Sequence, residues 1–355
     1  MIPIYNAAAA LISKSGLARI CAPFMGGMGT IFTLHRVIAG GRTREFQPNH
    51  HLTVTPEFLD KAIFRVRESG FDIVSLSEAI KRLKSGRSDR PFCTFTFDDG
   101  YQDNIDLALP IFRKYDAPMT VFVCTDVVDG SAVLWWELLE AVLANNSAVT
   151  FETGGRALHF KTPNAASKGA AAKGIEKHFR SVADEAEARA QIVRFAESYD
   201  VDFRALCRSM GSTWDTLRKA AKDPLFHVGA HTISHPMLSR LSEEEARMEI
   251  FGSRERIQTE LDVYVEHFAY PYGYEQACGK REFEIVADLG FKSAVTTKPG
   301  VLMPCHGEAP WCLPRASLNG HYQNDAMVDS LVSGVPFFLA NGFRRVSGFG
   351  PKAQP

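Results

Sequence analysis

Four side chains in this sequence have the types and spacing to do hydrolytic chemistry together: Asp98, Asp99, His231 and His235. Asp98 and Asp99 are adjacent in Thr96-Phe97-Asp98-Asp99-Gly100, directly after an apolar run. Adjacent carboxylates repel each other, and a turn at Gly100 can hold one toward a cation while leaving the other free as a base. His231 and His235 stand four residues apart, which suits two imidazoles on one side of a helical turn binding one metal ion. Pro236 would break a helix interior, so the pair is expected in a turn or a first helical turn. Taken singly, Asp-Asp-Gly also describes a polar turn that caps the next helix. The histidine pair alone also describes two residues hydrogen-bonded near a helix start. One Asp with two His, however, makes an open facial triad that keeps positions for water and substrate. A third cluster, Phe268-Ala269-Tyr270-Pro271-Tyr272-Gly273, reads either as a plain aromatic turn or as a backbone N–H aimed at a developing oxyanion.

These clusters need a scaffold that brings strand ends together. Apolar strand-like runs alternate with helical patterns along most of the chain: Thr30–Leu34, Ile73–Val74, Phe92–Phe97, Met119–Val123, Phe226–Gly229, His267–Ala269 and Ser293–Val295. Between them, Thr55-Pro56 opens one helix, and Ser75 with Glu78 forms a capping box for a second. Asp103–Tyr115 makes another helix. Ser242 with Glu245 caps a long helix to Leu261, whose apolar stripe is Ala246, Ile250, Ile257 and Leu261. Such β-α alternation implies a parallel sheet, open or closed into a barrel, with functional groups at the C-terminal strand ends. From about 135 to 222 the rhythm breaks into an aromatic helix, a hairpin over 149–153 and 158–161, and an Ala/Lys/Glu-rich helical stretch. This is expected to be an insertion that caps the site or shapes substrate binding. Residues 1–29 are expected to form a helical segment with Ile4, Ala8, Leu11 and Ile12 on one face, residues 30–345 the catalytic domain, and residues 346–355 a loose tail.

Composition excludes several classes. Apolar residues make up 45% and charged residues 23% of 355, ordinary values for a globular core. A net charge of -1 gives no electrostatic case for nucleic acid or an anionic membrane. Seven cysteines, an odd number without a CxxC, argue for unpaired thiols in a reducing compartment. The apolar N-terminal stretch is too short to span a bilayer and lacks a basic lead-in. These features place the chain in the cytoplasm, with peripheral contact at the inner membrane face as the second placement. Nothing in the sequence speaks to oligomeric state.

Thr-Phe-Asp-Asp-Gly, His-Thr-Ile-Ser-His and Tyr-Pro-Tyr-Gly, in that order and each after a strand, resemble the motifs of the polysaccharide deacetylase (NodB-homology) family, carbohydrate esterase family four. The resemblance covers roughly residues 30–130 and 220–320. It implies an irregular (β/α) barrel of about seven strands and a metal-dependent hydrolase that removes acetyl groups from amino sugars, as in chitooligosaccharide deacetylation. It also implies roles. Asp99, His231 and His235 would ligate a divalent metal, zinc first, with cobalt, nickel or manganese accepted by the same donors. Asp98 would be the general base, and the Tyr272 N–H would face the oxyanion. The family's third motif usually begins with an Arg that orients the base, but Ala269 stands there; Arg315, in Leu313-Pro314-Arg315, is the substitute expected. The usual late Leu-x-x-His segment that supplies the acid is absent. The chain is similar instead to permuted members whose acidic His follows the first strand, which points to His35, with His306 and His321 as competitors.

Lesser expectations concern saccharide contacts. Trp135 and Trp136 could stack on sugar rings or be core, an ambiguity shared by Trp214 and Trp311, and Phe46, Pro48 and Asn49 could shape the groove. Two other functions compete. One is an amide hydrolase or deformylase acting on a lipid-linked or small-molecule substrate. The other is a saccharide-binding protein without catalysis, which predicts loss of at least one of the four central residues.

Overall fold

The computed structural model describes residues 25–41 and 44–338. The expected N-terminal helix and the C-terminal tail lie outside the described residues. Seven parallel strands form the centre: β1 (Gly29–Leu34), β2 (Phe92–Phe97), β3 (Met119–Val123), β4 (Phe226–Ala230), β5 (His267–Ala269), β6 (Ser293–Pro299) and β7 (Leu313–Ser317). Each strand pairs with the next in sequence, and β7 pairs back onto β1, Phe32 opposite Ala316, so the sheet closes. The (β/α) barrel of about seven strands that the family resemblance implies is therefore present, and the parallel sheet that the alternation left open or closed is closed. A short strand, Asp72–Ile73, pairs with the start of β2.

Side-chain alternation explains why the sheet curls into a ring. Ile31, Phe122, Ala269, Val295 and Leu313 belong to one compact cluster. Their neighbours Phe32, Phe95, Val121, Phe268, Ala294 and Ala316 belong to a second, larger one that also takes the inner faces of the surrounding helices. Successive residues point to opposite faces of a strand, so the first cluster fills the barrel and the second coats it. Gly229 allows close approach inside: a Cβ there would sit 2.4 Å from the Phe122 ring.

The helices follow their caps. Thr55 accepts from the Phe58 N–H ahead of Pro56–Glu68, and Ser242 and Glu245 form the reciprocal box ahead of Glu243–Leu261, which buries Ala246, Ile250, Ile257 and Leu261. Two expectations need correction. Ser75 does cap its helix, but Glu78 does not complete the box; its carboxylate is drawn to Arg82, one turn on, at 3.0 Å. The helix expected over Asp103–Tyr115 begins as a π-turn, Asn104–Ala108, before the α-helix Leu109–Lys114. Pro110 has no N–H to donate, and the Leu109 N–H reaches back five residues to Asn104. The turn places Asp103 and Asn104 under the end of β1. Asp103 accepts from Val37 N and Arg36 Nε, both at 2.9 Å, and Asn104 donates to the His35 carbonyl at 2.8 Å.

Between β3 and β4 lies a separate hydrophobic cluster built from the helices Trp135–Asn145, Ala165–Ser181, Glu185–Glu197 and Phe203–Met210 and the hairpin Ala148–Glu152/Ala157–Lys161. Trp135, Trp136, Phe151, Phe179 and Phe195 are among its large members. It takes in Tyr101, Cys124 and Val127 from the barrel loops and packs on Tyr272. The next helix, Trp214–Ala220, instead packs Leu217 and Ala220 into the barrel coat. Among the described residues no helix is long and apolar enough to cross a membrane, and the described cysteines are all free.

One half-buried carboxyl in the first of these helices gives a stability prediction. Burial pushes the Glu137 carboxyl up to about 7, against the pull of Arg36. The folded state therefore holds its proton more tightly than the unfolded chain. That contribution is full below pH ~4.5 and disappears as pH rises through about 7. Glu137→Gln should match the wild type near pH 5 and exceed it at pH 8 by up to ~3 kcal/mol, read by chemical denaturation.

Candidate active site

The three motif loops meet at the C-terminal mouth of the barrel. Asp98 follows β2 and donates its N–H to Leu34 of β1 at 3.0 Å; His231 follows β4 and donates its N–H to Val123 of β3 at 3.0 Å. The sheet ladder thus carries directly into the functional residues. Asp99, Thr232, His235 and Tyr272 all take left-handed backbone conformations, with φ of 78°, 65°, 62° and 61°. Non-glycine residues are strained there, and the strain is held by surrounding contacts. Thr232 Oγ1 accepts from the His235 N–H at 3.0 Å. Glu249, on the long helix, accepts from Ile233 N at 2.8 Å and from Ser234 N at 2.9 Å. Arg189, from the Glu185–Glu197 helix, donates to the Ser234 carbonyl at 2.7 Å and to the His235 carbonyl at 2.5 Å. The histidine pair sits in this clamped turn, with no helix running through it. At the third loop Gly273 (φ 61°) lies so close to β6 that a Cβ would meet Thr297 N at 2.5 Å. Thr297 ties that loop down by donating its hydroxyl to the Tyr272 carbonyl at 2.6 Å.

Asp99, His231 and His235 converge. Both histidine Nε2 atoms lie 3.4 Å from Asp99 Oδ1, and one donor atom from each of the three falls within 4.8 Å of the others. His231 is oriented by its Nδ1, 2.7 Å from the Ala269 carbonyl, which leaves Nε2 facing Asp99. Asp99 Oδ1 is fully buried and has no hydrogen-bond partner. Burial pushes the His235 imidazole down to about 3, so at neutral pH it keeps a lone pair. Burial acts the same way on His231, but Asp99 and Asp98 outweigh it and raise that imidazole. A buried, unsatisfied carboxylate oxygen facing two imidazole nitrogens fits a divalent cation in donor type and number.

Asp98 is treated differently. Arg315, wholly buried in the middle of β7, grips it with two bonds: Nη1 to Oδ1 at 2.8 Å and Nη2 to Oδ2 at 2.6 Å. Arg315 is itself fixed by Nε on the Thr296 carbonyl at 2.8 Å and Nη1 on Thr96 Oγ1 at 3.1 Å. Burial would raise the Asp98 carboxyl, but the guanidinium outweighs it and holds Asp98 below the ordinary carboxylate range. One carboxylate of the adjacent pair is therefore neutralised by Arg315, and the other is left for a cation.

A cavity of about 420 Å³ opens over these groups, within the range of small-molecule sites. His35, Asp98, Asp99, His231, His235 and Tyr272 all line it, as do Trp135, Trp136, Pro48 and Asn49. Arg315 lies beneath Asp98, outside the lining. His306 is elsewhere, its Nδ1 accepting from Met303 N within its own turn. His321 stacks on His51 at 6.0 Å and does not reach the cavity. Trp214 and Trp311 are also remote: their indoles donate to Asp129 and to the Phe291 carbonyl. Phe46 packs on the edge of the inserted cluster. The sequence pattern did not point to Glu176, Arg180, Tyr274 or His51, which line the cavity, nor to Arg189 and Glu249, which hold the histidine loop. The only signal for the first two was a polar helical repeat that reads equally as a solvated face.

A closed (β/α) barrel with an Asp-His-His cluster and an Arg-held Asp at its mouth defines a class of hydrolases acting on amide C–N bonds. The polysaccharide deacetylase family matches residues 85–294, and the chain belongs to that family, whose members are generally metal-dependent. No curated protein sequence matches it significantly. Solved structures share its fold. A Streptococcus pyogenes deacetylase, PplD, in complex with acetate superposes with a TM-score of 0.54 at 18% identity, covering 82% of this chain and 92% of that one. IcaB from Ammonifex degensii gives 0.54 at 17% identity, covering 87% and 98%. The BpsB deacetylase domain from Bordetella bronchiseptica gives 0.50 at 15% identity, covering 82% and 96%.

Proposed function

We propose that this protein hydrolyses the N-acetyl group of amino sugars in an oligo- or polysaccharide, with Asp99, His231 and His235 holding a divalent cation, zinc before cobalt, nickel or manganese. The observation that carries this reading is the pair of adjacent carboxylates with opposite environments: Asp98 ion-paired to Arg315, Asp99 facing two imidazoles. Bound there, the cation would supply electrophilic polarisation of the amide carbonyl and a more acidic water. Asp98 accepts the proton of the attacking water on a carboxylate oxygen, while Arg315 keeps that oxygen ionised and aimed. The Tyr272 backbone N–H donates to the oxygen that becomes negative. Trp135, Trp136 and Tyr272 wall the cavity and keep bulk water from the reacting amide. His35, in the same cavity, gives a proton to the departing amine nitrogen as the C–N bond breaks. All four central residues are retained and gathered, which supports catalysis over saccharide binding alone. No observation favours a lipid-linked or formyl substrate over an acetamido sugar.

The test is acetate release from N-acetylated chitooligosaccharides by metal-loaded protein. No acetate with metal demonstrably bound would sink the substrate assignment, and no metal bound would sink the catalytic one. His35→Ala should lower kcat by about 10²–10⁴ with little change in metal content, and retained kcat would reject His35 as the acid. Arg189→Ala should weaken metal affinity by about 10–100-fold in a chelator competition, because the His235 loop loses its carbonyl clamp.

A further inference from the structure

The inserted helix Ala165–Ser181 carries a basic ridge at the mouth of the cavity. Lys173, Glu176, Lys177, Arg180 and Ser181 together line a recess of about 390 Å³. This recess shares Glu176 and Arg180 with the catalytic cavity, so the two spaces adjoin. Spacings of three, four and seven residues put these side chains on one helical face. Arg180 is built in. Its Nε donates to Glu176 at 2.8 Å, Nη1 donates to the Tyr274 hydroxyl, and its guanidinium lies 5.5, 5.8 and 5.4 Å from the Trp135, Tyr272 and Tyr274 ring centres. Glu176 answers only one of the three cations. Lys173 and Lys177 are exposed, and no carboxylate among the described residues pairs with them. Elsewhere the cavity is lined by aromatic, imidazole and apolar side chains with Asn49 and Thr297, and by the carboxylates Asp98, Asp99 and Glu176. The two spaces meet at Glu176 and Arg180, so a saccharide of more than one unit with its acetamido group at Asp98 can run past Arg180 into this net positive recess.

We infer that the recess is a subsite for an anionic group, a carboxylate or a phosphate, on the unit bonded to the amino sugar that is hydrolysed, either a neighbouring acidic sugar or a phosphoryl group. The substrate class is then an acidic N-acylated saccharide. Arg180 anchors the anion at the boundary between the two spaces, and Lys173 and Lys177 supply mobile charge beyond it. This inference deepens the deacetylase reading and rests on it.

Binding and turnover are measured separately, so that the two can fail independently. By titration calorimetry at low salt, metal-loaded protein is offered a hyaluronan tetrasaccharide against N-acetylated chitotetraose, and N-acetylglucosamine 1-phosphate against N-acetylglucosamine. The first pair tests a carboxylate on a neighbouring sugar and the second a phosphate. At least one acidic probe should bind about tenfold more tightly than its neutral counterpart. The advantage should shrink with added salt and vanish in Lys173→Glu/Lys177→Glu, a double change on an exposed helical face. The salt response of the wild type is a second readout should the variant fold poorly. Equal affinity within both pairs would overturn the inference. So would binding to phosphatidylglycerol vesicles without any preference between sugars, which would make the ridge a membrane contact. Acetate release from the neutral chitooligosaccharide is recorded alongside. Acidic preference without acetate leaves the subsite and removes the reaction, and acetate without preference does the reverse.

Discussion

Asp98→Asn is expected to abolish acetate release, by about 10²–10⁴ in kcat, while leaving divalent-cation affinity close to that of the wild type. The separation follows from the geometry. Asp98 is held by Arg315 and is not one of the three converging donors, Asp99, His231 and His235. An Asn side chain keeps the size and one acceptor but cannot take a proton from water. It also turns an N–H₂ toward the Arg315 guanidinium, so a small loss of stability should accompany the loss of rate. Measuring kcat and metal content on the same preparation decides the matter. A variant that loses metal as well as rate would mean that Asp98 is a ligand and the roles of the two carboxylates are exchanged.

Removing Arg315 should have the largest effect on stability. Arg315→Met keeps much of the volume but leaves the Asp98 carboxylate buried without its partner, and breaking such a pair costs about 3–5 kcal/mol. Thr96 Oγ1 and the Thr296 carbonyl lose a donor in the same step. The sign with pH is fixed by the direction of the Asp98 shift. In the wild type Arg315 lowers the folded-state carboxyl below its unfolded value, so its contribution is present above the unfolded pKa and is lost as pH falls through the folded one. Arg315→Met should reverse this: Asp98 becomes harder to ionise, and the variant loses most stability at neutral pH and least in acid. Denaturation midpoints at pH 4 and pH 7 test it. An unfolding free energy equal to the wild type at neutral pH would show that the pair contributes nothing net.

Much of the barrel was legible because its signals are local. Phe92–Phe97 and Met119–Val123 are short apolar runs whose ends coincide with the strands, and Ser242 with Glu245 marks a helix start through bonds spanning three residues. The Asp-Asp and His-x-x-x-His groups were equally readable, since each depends on spacing within one loop. What could not be read depends on partners distant in sequence. Arg189 has no motif around it, and its role exists only because its helix folds over the His235 loop, 46 residues on. Glu78 sat at a capping-box position, yet Arg82 offered its carboxylate a better partner than the backbone did. The π-turn at Asn104–Ala108 arises from Pro110 together with the hydrogen bonds asked of Asp103 and Asn104 by the end of β1. The stretch holding Lys173 and Arg180 has a composition common to solvated helices, and only its packing beside Trp135 and Tyr274 gives it a place at the cavity.

The segment inserted after β3 reaches the candidate site through two separate handles. Arg189 reaches the carbonyls that shape the His235 loop, and Arg180 lines the cavity where it adjoins the recess. Both ride on helices that share one hydrophobic cluster, to which Phe179 and Ile192 belong. The segment is therefore not an interchangeable cap. A chimaera that replaced it with a neutral helical hairpin would be expected to lose cation retention and selectivity in a single exchange, so exploration of new substrates on this scaffold is restricted to changes on the solvent side of those helices.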